Sequence, residues 1–375
     1  MRIDIKLGAG LVGPLVMATG LWLVTGGNEG MDLGNGADTG GYGNNGGYGG
    51  DREASDLKGL RMVSVSAPAP VTTVPTGPGT VRCPRPTKTV GSADELQQAV
   101  RAARAGDVIR LRPGTYQGKF VAQRSGTRGK PIFLCGNAQS VLDGGGIKKG
   151  YAFHLDKASF WRLVGFTVQN SQKGVMADRT NGSIIQGLTV HDIGDEAVHL
   201  RNFSTGNMVQ YNKIYNTGLR RAKFGEGVYL GSAESNWKQY SGGQMDRSDN
   251  NLVRGNVIRA TAEAVDIKEG TSGGRIVGNI FDGSALGGDK LNDSWVDVKG
   301  NNYVIEGNTG KKTPQDGFQT HEIVDGWGTG NVFRKNSIDL AGGRGVGIND
   351  TVGGNTIACD NKVIGGQLTK KGSCS

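Results

Sequence analysis

The sequence predicts an all-β solenoid, a parallel β-helix, and three observations predict it. Glycine fills 66 of 375 positions while aromatics make up only 6%, a composition that weakens helices and suits short strands joined by tight turns. Seven segments (173–179, 196–202, 226–232, 263–269, 294–300, 316–322 and 344–350) align, most of them reading small-valine-x-aliphatic, with starts 23, 30, 37, 31, 22 and 28 residues apart. Such an irregular period fits coils whose loops vary on one face. Between these segments asparagine recurs, at Asn256, Asn279, Asn308, Asn336 and Asn361. Each is expected to take the left-handed backbone of a tight turn and to hydrogen-bond to its copy in the next coil.

Taken in order, residues 1–25 resemble an export signal or anchor: Arg2 and Lys6 precede an apolar run from Leu7 to Val24. Pro14 and the run's 18 residues make a poor membrane span, and no Ala-x-Ala cleavage site follows. Residues 26–50 hold 12 glycines and cannot form a core. A Pro/Thr linker continues to residue 82, so the folded domain is expected to span 83–375, with its coils from about 105 to 365. Ser92 and Glu95 form a capping box opening a helix through Arg104, with Leu96, Ala99, Val100 and Ala103 as its apolar stripe. That helix would cap the open end of the stack. Four cysteines pair most simply as Cys83–Cys135 and Cys359–Cys374, one bridge at each end, although three connectivities exist. Disulfides fit a secreted protein.

The charge is uneven. Residues 1–82 carry 6 basic and 7 acidic side chains, leaving 37 basic and 27 acidic, a net +10, on the rest. So basic a body favours a polyanionic partner: nucleic acid, anionic lipid or acidic polysaccharide.

The stretch Gly106–Tyr116, the asparagine turns, and Glu263-Ala264-Val265-Asp266-Ile267-Lys268 resemble the right-handed β-helix polysaccharide lyases, most of all the chondroitinase B and alginate lyase family. The resemblance covers roughly residues 83–375 and, with the preference of parallel crossovers, implies a right-handed coil. It implies an acidic polysaccharide as partner rather than nucleic acid, and a monomer. The family's motif has a Glu-Ala start, acidic calcium ligands, a catalytic lysine and, one coil later, a catalytic arginine. Glu263 and Lys268 match the first and third elements, and Asp266 approximates the acidic ligand. Lys299 stands where the arginine would, and Ile-Lys-Glu replaces the usual Asn-Lys-Ser.

Alternation along each strand places Val198, Val228, Val265, Val296, Phe318 and Val346 inward, with Leu200, Leu230, Ile267 and Val298. One outward column then runs His154, Met176, His199, Tyr229, Asp266, Asp297, Gln319, Gly347. The next runs Asp156, Asp178, Arg201, Gly231, Lys268, Lys299, His321, Asn349. Stacked carboxylates at Asp266 and Asp297 suggest a Ca²⁺ site with Glu263. Stacked ammoniums at Lys268 and Lys299 suggest lowered pKa values, making Lys268 a general base and Lys299 the second catalytic group. A self-satisfying ladder of ion pairs is the competing expectation. His199, Arg201, Arg220, Tyr229, Gln319 and His321 are candidate substrate contacts, with Arg221 and Lys223 nearby. Trp237 and Tyr240 offer a stacking wall, as do Trp295 and Trp327 unless they merely pack.

The function expected is a secreted lyase cleaving an acidic glycan by β-elimination. A C5-epimerase would share its proton abstraction. The alternatives are a glycoside hydrolase using Asp266 and Asp297 as paired carboxylates, and a non-catalytic glycan-binding adhesin.

Overall fold

The computed structural model describes residues 79–287, 292–370 and 374. The export signal and the glycine-rich segment expected from the sequence lie outside the described residues. Within them the strands form three parallel sheets of 11, 9 and 10 strands, each strand paired with those one coil before and after. Every third strand in the chain returns to the same sheet, the signature of a parallel β-helix. Ordered packing begins slightly before Cys83: the backbone of Val81 exchanges two hydrogen bonds with the Gln186 amide.

The inward row predicted from the repeat exists. Val175, Val198, Val228, Val265, Val296, Phe318 and Ile348 are successive register partners, all fully buried. Burying one such side chain is worth about 1.5–3 kcal/mol, so the row is a main source of stability. Gly310 faces the same interior and has no side chain because Trp295 fills its space: a Cβ there would sit 2.4 Å from the indole. Trp295 thus packs inside, against Phe318 at 5.9 Å, and forms no sugar platform.

One register expectation fails. Phe318 pairs with Ile348 and Gln319 with Asn349, so segment 344–350 was aligned two residues early. Gly345-Val346 and Gly347-Ile348 both satisfy the small-aliphatic pattern. The first is a decoy, since the Val346 backbone N–H is diverted to Asp316 Oδ1 at 2.7 Å. Asn349 therefore replaces Gly347 in the first outward column and leaves the second.

The asparagine ladder is continuous. From Asn212 through Asn256, Asn279, Asn308 and Asn336 to Asn361, each Nδ2 donates to the Oδ1 of the next at 2.9–3.0 Å. The same oxygens accept the preceding asparagine's backbone N–H. The left-handed residue, however, is the one before the asparagine: Tyr211, Gly255, Gly278, Gly307 and Lys335 have φ of 55–65°. The asparagines serve as stacked hydrogen-bonding groups, and their neighbours make the turn.

Both stack ends are closed. Helix Ala93–Ala102 starts at Ser92, whose Oγ accepts from Glu95 N at 3.2 Å, while Glu95 reaches back to Gly91 N at 2.7 Å. Its buried face (Leu96, Ala99, Val100) joins the core cluster of the first coils. The disulfides are Cys83–Cys135 and Cys359–Cys374, as expected. Among the described residues no helix is long and apolar enough to cross a membrane.

Candidate functional site

The nine-stranded sheet carries both outward columns, and an insertion at 233–250 rises beside it. Asp246 pins that insertion. Fully buried, it accepts from the backbone N–H groups of Asn202 and Phe203 and from the hydroxyls of Ser232 and Ser248, at 2.7–2.9 Å. Trp237 adds a bond from Nε1 to Ser232 O at 3.0 Å. The insertion thereby lays Tyr240 over the Arg201 guanidinium, 3.7 Å from its ring centre. The outward face of the sheet beside this wall is the candidate site.

This face holds a continuous chain of charge. Lys268 Nζ lies 2.9 Å from Asp266 Oδ2, Lys299 bridges Asp266 Oδ1 at 3.0 Å and Asp297 Oδ2 at 2.5 Å, and His321 Nδ1 meets Asp297 Oδ1 at 2.7 Å. Adjacent register partners make this possible: Asp266 pairs with Asp297, and Asp297 with Gln319. The competing expectation of alternating ion pairs is therefore what forms. It reverses the expected pKa shifts. Burial alone would lower both lysines, but Asp266 and Glu269 hold Lys268 above its usual value, and Asp266 and Asp297 do the same for Lys299. Both rest as ammoniums. Burial would raise Asp297, but Lys299 and His321 hold it well below the usual carboxylate range. The hydrogen bond to Asp297 outweighs burial and raises His321.

Beneath this chain lies a second acidic group. Ligand oxygens of Glu226, Glu263 and Asp266 lie within 4.8 Å of one another, all buried. Burial first, then neighbouring carboxylates, pushes Glu226 and Glu263 well above the usual range. Glu226 Oε2 is buried without a hydrogen-bond partner. Three convergent hard oxygens with one left unsatisfied fit a cation such as Ca²⁺. Of the predicted ligands, Glu263 and Asp266 belong to this trio. Asp297 stands outside it, paired with Lys299 and His321. Glu226 was missed, although Glu196, Glu226 and Glu263 each open an aligned repeat.

The remaining predicted residues separate into two groups. Tyr229 stands one strand from Asp266, its ring 5.0 Å from Lys268 Nζ and 4.4 Å from the His199 ring. The Tyr229 hydroxyl makes no hydrogen bond to any described residue. Burial, Asp266 and Glu226 push its phenol well above the usual value, against Lys299. His199 donates from Nε2 to Gly231 O at 2.8 Å, and burial lowers its pKa, so it stays neutral. In the second column Gly231 bears no side chain between Arg201 and Lys268. A Cβ there would sit 2.5 Å from Thr271 Cγ2.

The others are drawn elsewhere. Arg201 pairs with Asp178, Nε to Oδ1 at 2.8 Å, and Asp178 also meets His154 Nε2 at 2.8 Å. Arg220 forks onto Asp195 and so anchors its own loop. Arg221 and Lys223 lie over Phe224. Gln319 donates to Asp316 at 2.9 Å. Trp327 is half-buried beyond His321.

A family model described as the Pel9A-like right-handed beta helix region matches residues 82–228. The alginate lyase from Paenibacillus sp. str. FPU-7 shares 35% identity, with 76% of this chain and 97% of that one covered and a TM-score of 0.71. Pectate lyase Pel9A (13% identity, 78% and 82% covered, TM-score 0.53) and PfbA, a surface adhesin of Streptococcus pneumoniae (13%, 75% and 76%, 0.50), share the fold. No curated protein matches in sequence.

Proposed function

The chain belongs to the family of right-handed parallel β-helix polysaccharide lyases that includes the Paenibacillus enzyme, and from that premise we propose that it cleaves an acidic, uronate-containing polysaccharide by β-elimination. The observation that carries this is the pairing of a protonated lysine, Lys268, with a phenol one strand away, Tyr229, that makes no hydrogen bond to any described residue. Elimination needs one group to take the C5 proton and another to protonate the departing oxygen, and both must reach one sugar residue. Lys268 holds a proton that the departing oxygen can take. This inverts the role assigned to it from sequence.

Tyr229 is the acceptor by position. It adjoins Lys268, whereas His321 lies two strands beyond it, about 10 Å. As the C5–H bond breaks, its proton passes to the Tyr229 oxygen and its electrons form the C4–C5 double bond. The C4–oxygen bond then breaks, and the departing oxygen takes the Lys268 proton. Tyr229 must enter this step as phenolate. Asp266 and Glu226 oppose that state and Lys299 favours it. A Ca²⁺ ion held by Glu226, Glu263 and Asp266 would supply fixed positive charge beside them. Lys299 and His321 present positive charge to the uronate carboxylate.

A second reading makes His321 the acceptor. It is favoured by the Asp297 bond to Nδ1, which leaves Nε2 outside that bond on a side chain 38% exposed. Export fits the two disulfides. The test is a screen of polyuronates, alginate first, for new ultraviolet absorbance with and without a calcium chelator. Unsaturated product supports elimination. Products that have gained water would establish a hydrolase, and binding without turnover an adhesin.

A further inference from the structure

A pocket of about 490 Å³ opens beside the first coils, lined by Lys119, Lys148, Lys149, Asn170 and the backbone of Gly144–Gly146. It lies at the N-terminal edge of the nine-stranded sheet, ahead of strands Phe120–Ala122 and Tyr151–Asp156. All three lysines are exposed, and none has an ion-pair partner among the described residues. The neighbouring carboxylate does not neutralise them. Asp143 accepts from Gly145 N and Asn170 Nδ2 on one oxygen and from Gln169 Nε2 on the other, at 2.9–3.0 Å. The pocket is partly preformed: Lys119 lies across Gly150, where a Cβ would come 2.8–2.9 Å from its Cε, Cδ and Nζ.

Its position along the stack gives it meaning. The sheet order places strand Tyr151–Asp156 four strands from the one carrying Asp266, about 19 Å away. An extended sugar residue is about as long as one strand spacing, so about four residues span the distance. Two carboxylates on the intervening coils have basic partners: Glu196 pairs with Lys173 and Asp178 with Arg201, each at 2.8 Å. Asp156, beyond Asp178, accepts from Gln123 Nε2 at 2.9 Å.

We propose that Lys119, Lys148 and Lys149 form a distal subsite that holds the carboxylates of an acidic polysaccharide about four residues from the bond being cleaved. The enzyme thereby favours long chains. This rests on the elimination reading, so the test has two arms. In the first, a Lys119→Gln/Lys148→Gln/Lys149→Gln variant is compared with the unaltered protein on alginate polymer and on alginate trisaccharide, which is too short to reach the pocket. Loss of three exposed charge contacts should lower kcat/KM on the polymer about 5- to 10-fold and leave the trisaccharide unchanged. Equal rates on the polymer, or equal losses on both, would overturn the proposal. The second arm needs no turnover: electrophoresis through gels containing alginate, with Lys268→Met as the background. Weaker retention on adding the three substitutions supports the subsite even if no unsaturated product ever forms. Unchanged retention rejects it.

Discussion

Two stretches of the same sheet, built on the same outward columns, hold similar residues in different states. In the N-terminal coils His154, Asp178 and Arg201 form a closed set, one carboxylate bonded to a histidine on one side and an arginine on the other. Burial opposes ionisation of Asp178, but His154 and Arg201 prevail and hold it well below the usual range. In the central coils two lysines and a histidine face four carboxylates: Glu226, Glu263, Asp266 and Asp297. Two of them, Asp266 and Asp297, take all the cationic partners. The other two are left to bind protons or a cation. A structural ion network ends balanced. An excess of buried acid next to a phenol without a hydrogen-bond partner among the described residues marks the place where protons can move.

The comparison breaks most sharply at the phenol. Tyr229→Phe should cost about 10²–10⁴-fold in kcat with the fold intact, whereas His321→Asn should mainly weaken substrate binding. Stopped assays on both variants check this. The reverse ranking would transfer the proton acceptor to His321.

Next in size is the cost of unbalancing the frame away from the site. Asn279→Ala removes the acceptor for Asn256 N–H and Nδ2 and the donor to Val253 O. Burying unsatisfied groups costs about 1–3 kcal/mol each, so a loss of about 2–4 kcal/mol is expected in denaturant unfolding, with kcat retained. A loss under 0.5 kcal/mol would mean that the ladder follows the fold rather than holding it.

Much of this frame was legible in the sequence. The valine row, the asparagine ladder, the capping helix and both disulfides follow from periodicity, turn chemistry and cysteine placement. The seventh repeat was misplaced because two small-aliphatic pairs compete within six residues, and only the contact with Asp316 decides between them. Apart from Gly347 and Asn349 in the displaced last repeat, the outward columns follow the sequence reading, but the protonation expected of Lys268 and Lys299 is reversed. Lys268 and Lys299 stack as like charges in sequence order, while in three dimensions an aspartate lies against each. Glu226 escaped notice because nothing local separates a ligand from a surface glutamate. Its depth beside Glu263 shows only once the coils stack.

A smaller effect sharpens the central imbalance. Glu226 and Glu263 must lose protons before they can hold a cation. Their raised values therefore make Ca²⁺ stabilisation weaker at low pH and stronger as pH rises. Calorimetric scans should show a larger Ca²⁺-induced rise in Tm at pH 8 than at pH 6, and the rise should vanish in Glu263→Gln. A rise independent of pH, or one surviving that substitution, would place the cation elsewhere.

The most direct test of Lys268 as the proton donor is the rate of unsaturated-product formation by Lys268→Met on the polymer the unaltered protein cleaves. Losing the donor should lower kcat about 10²–10⁴-fold, while polymer binding falls far less because Lys299 and His321 remain. Near-normal turnover, with only a drop in Tm from unpairing Asp266, would show that Lys268 merely balances charge and would contradict the account.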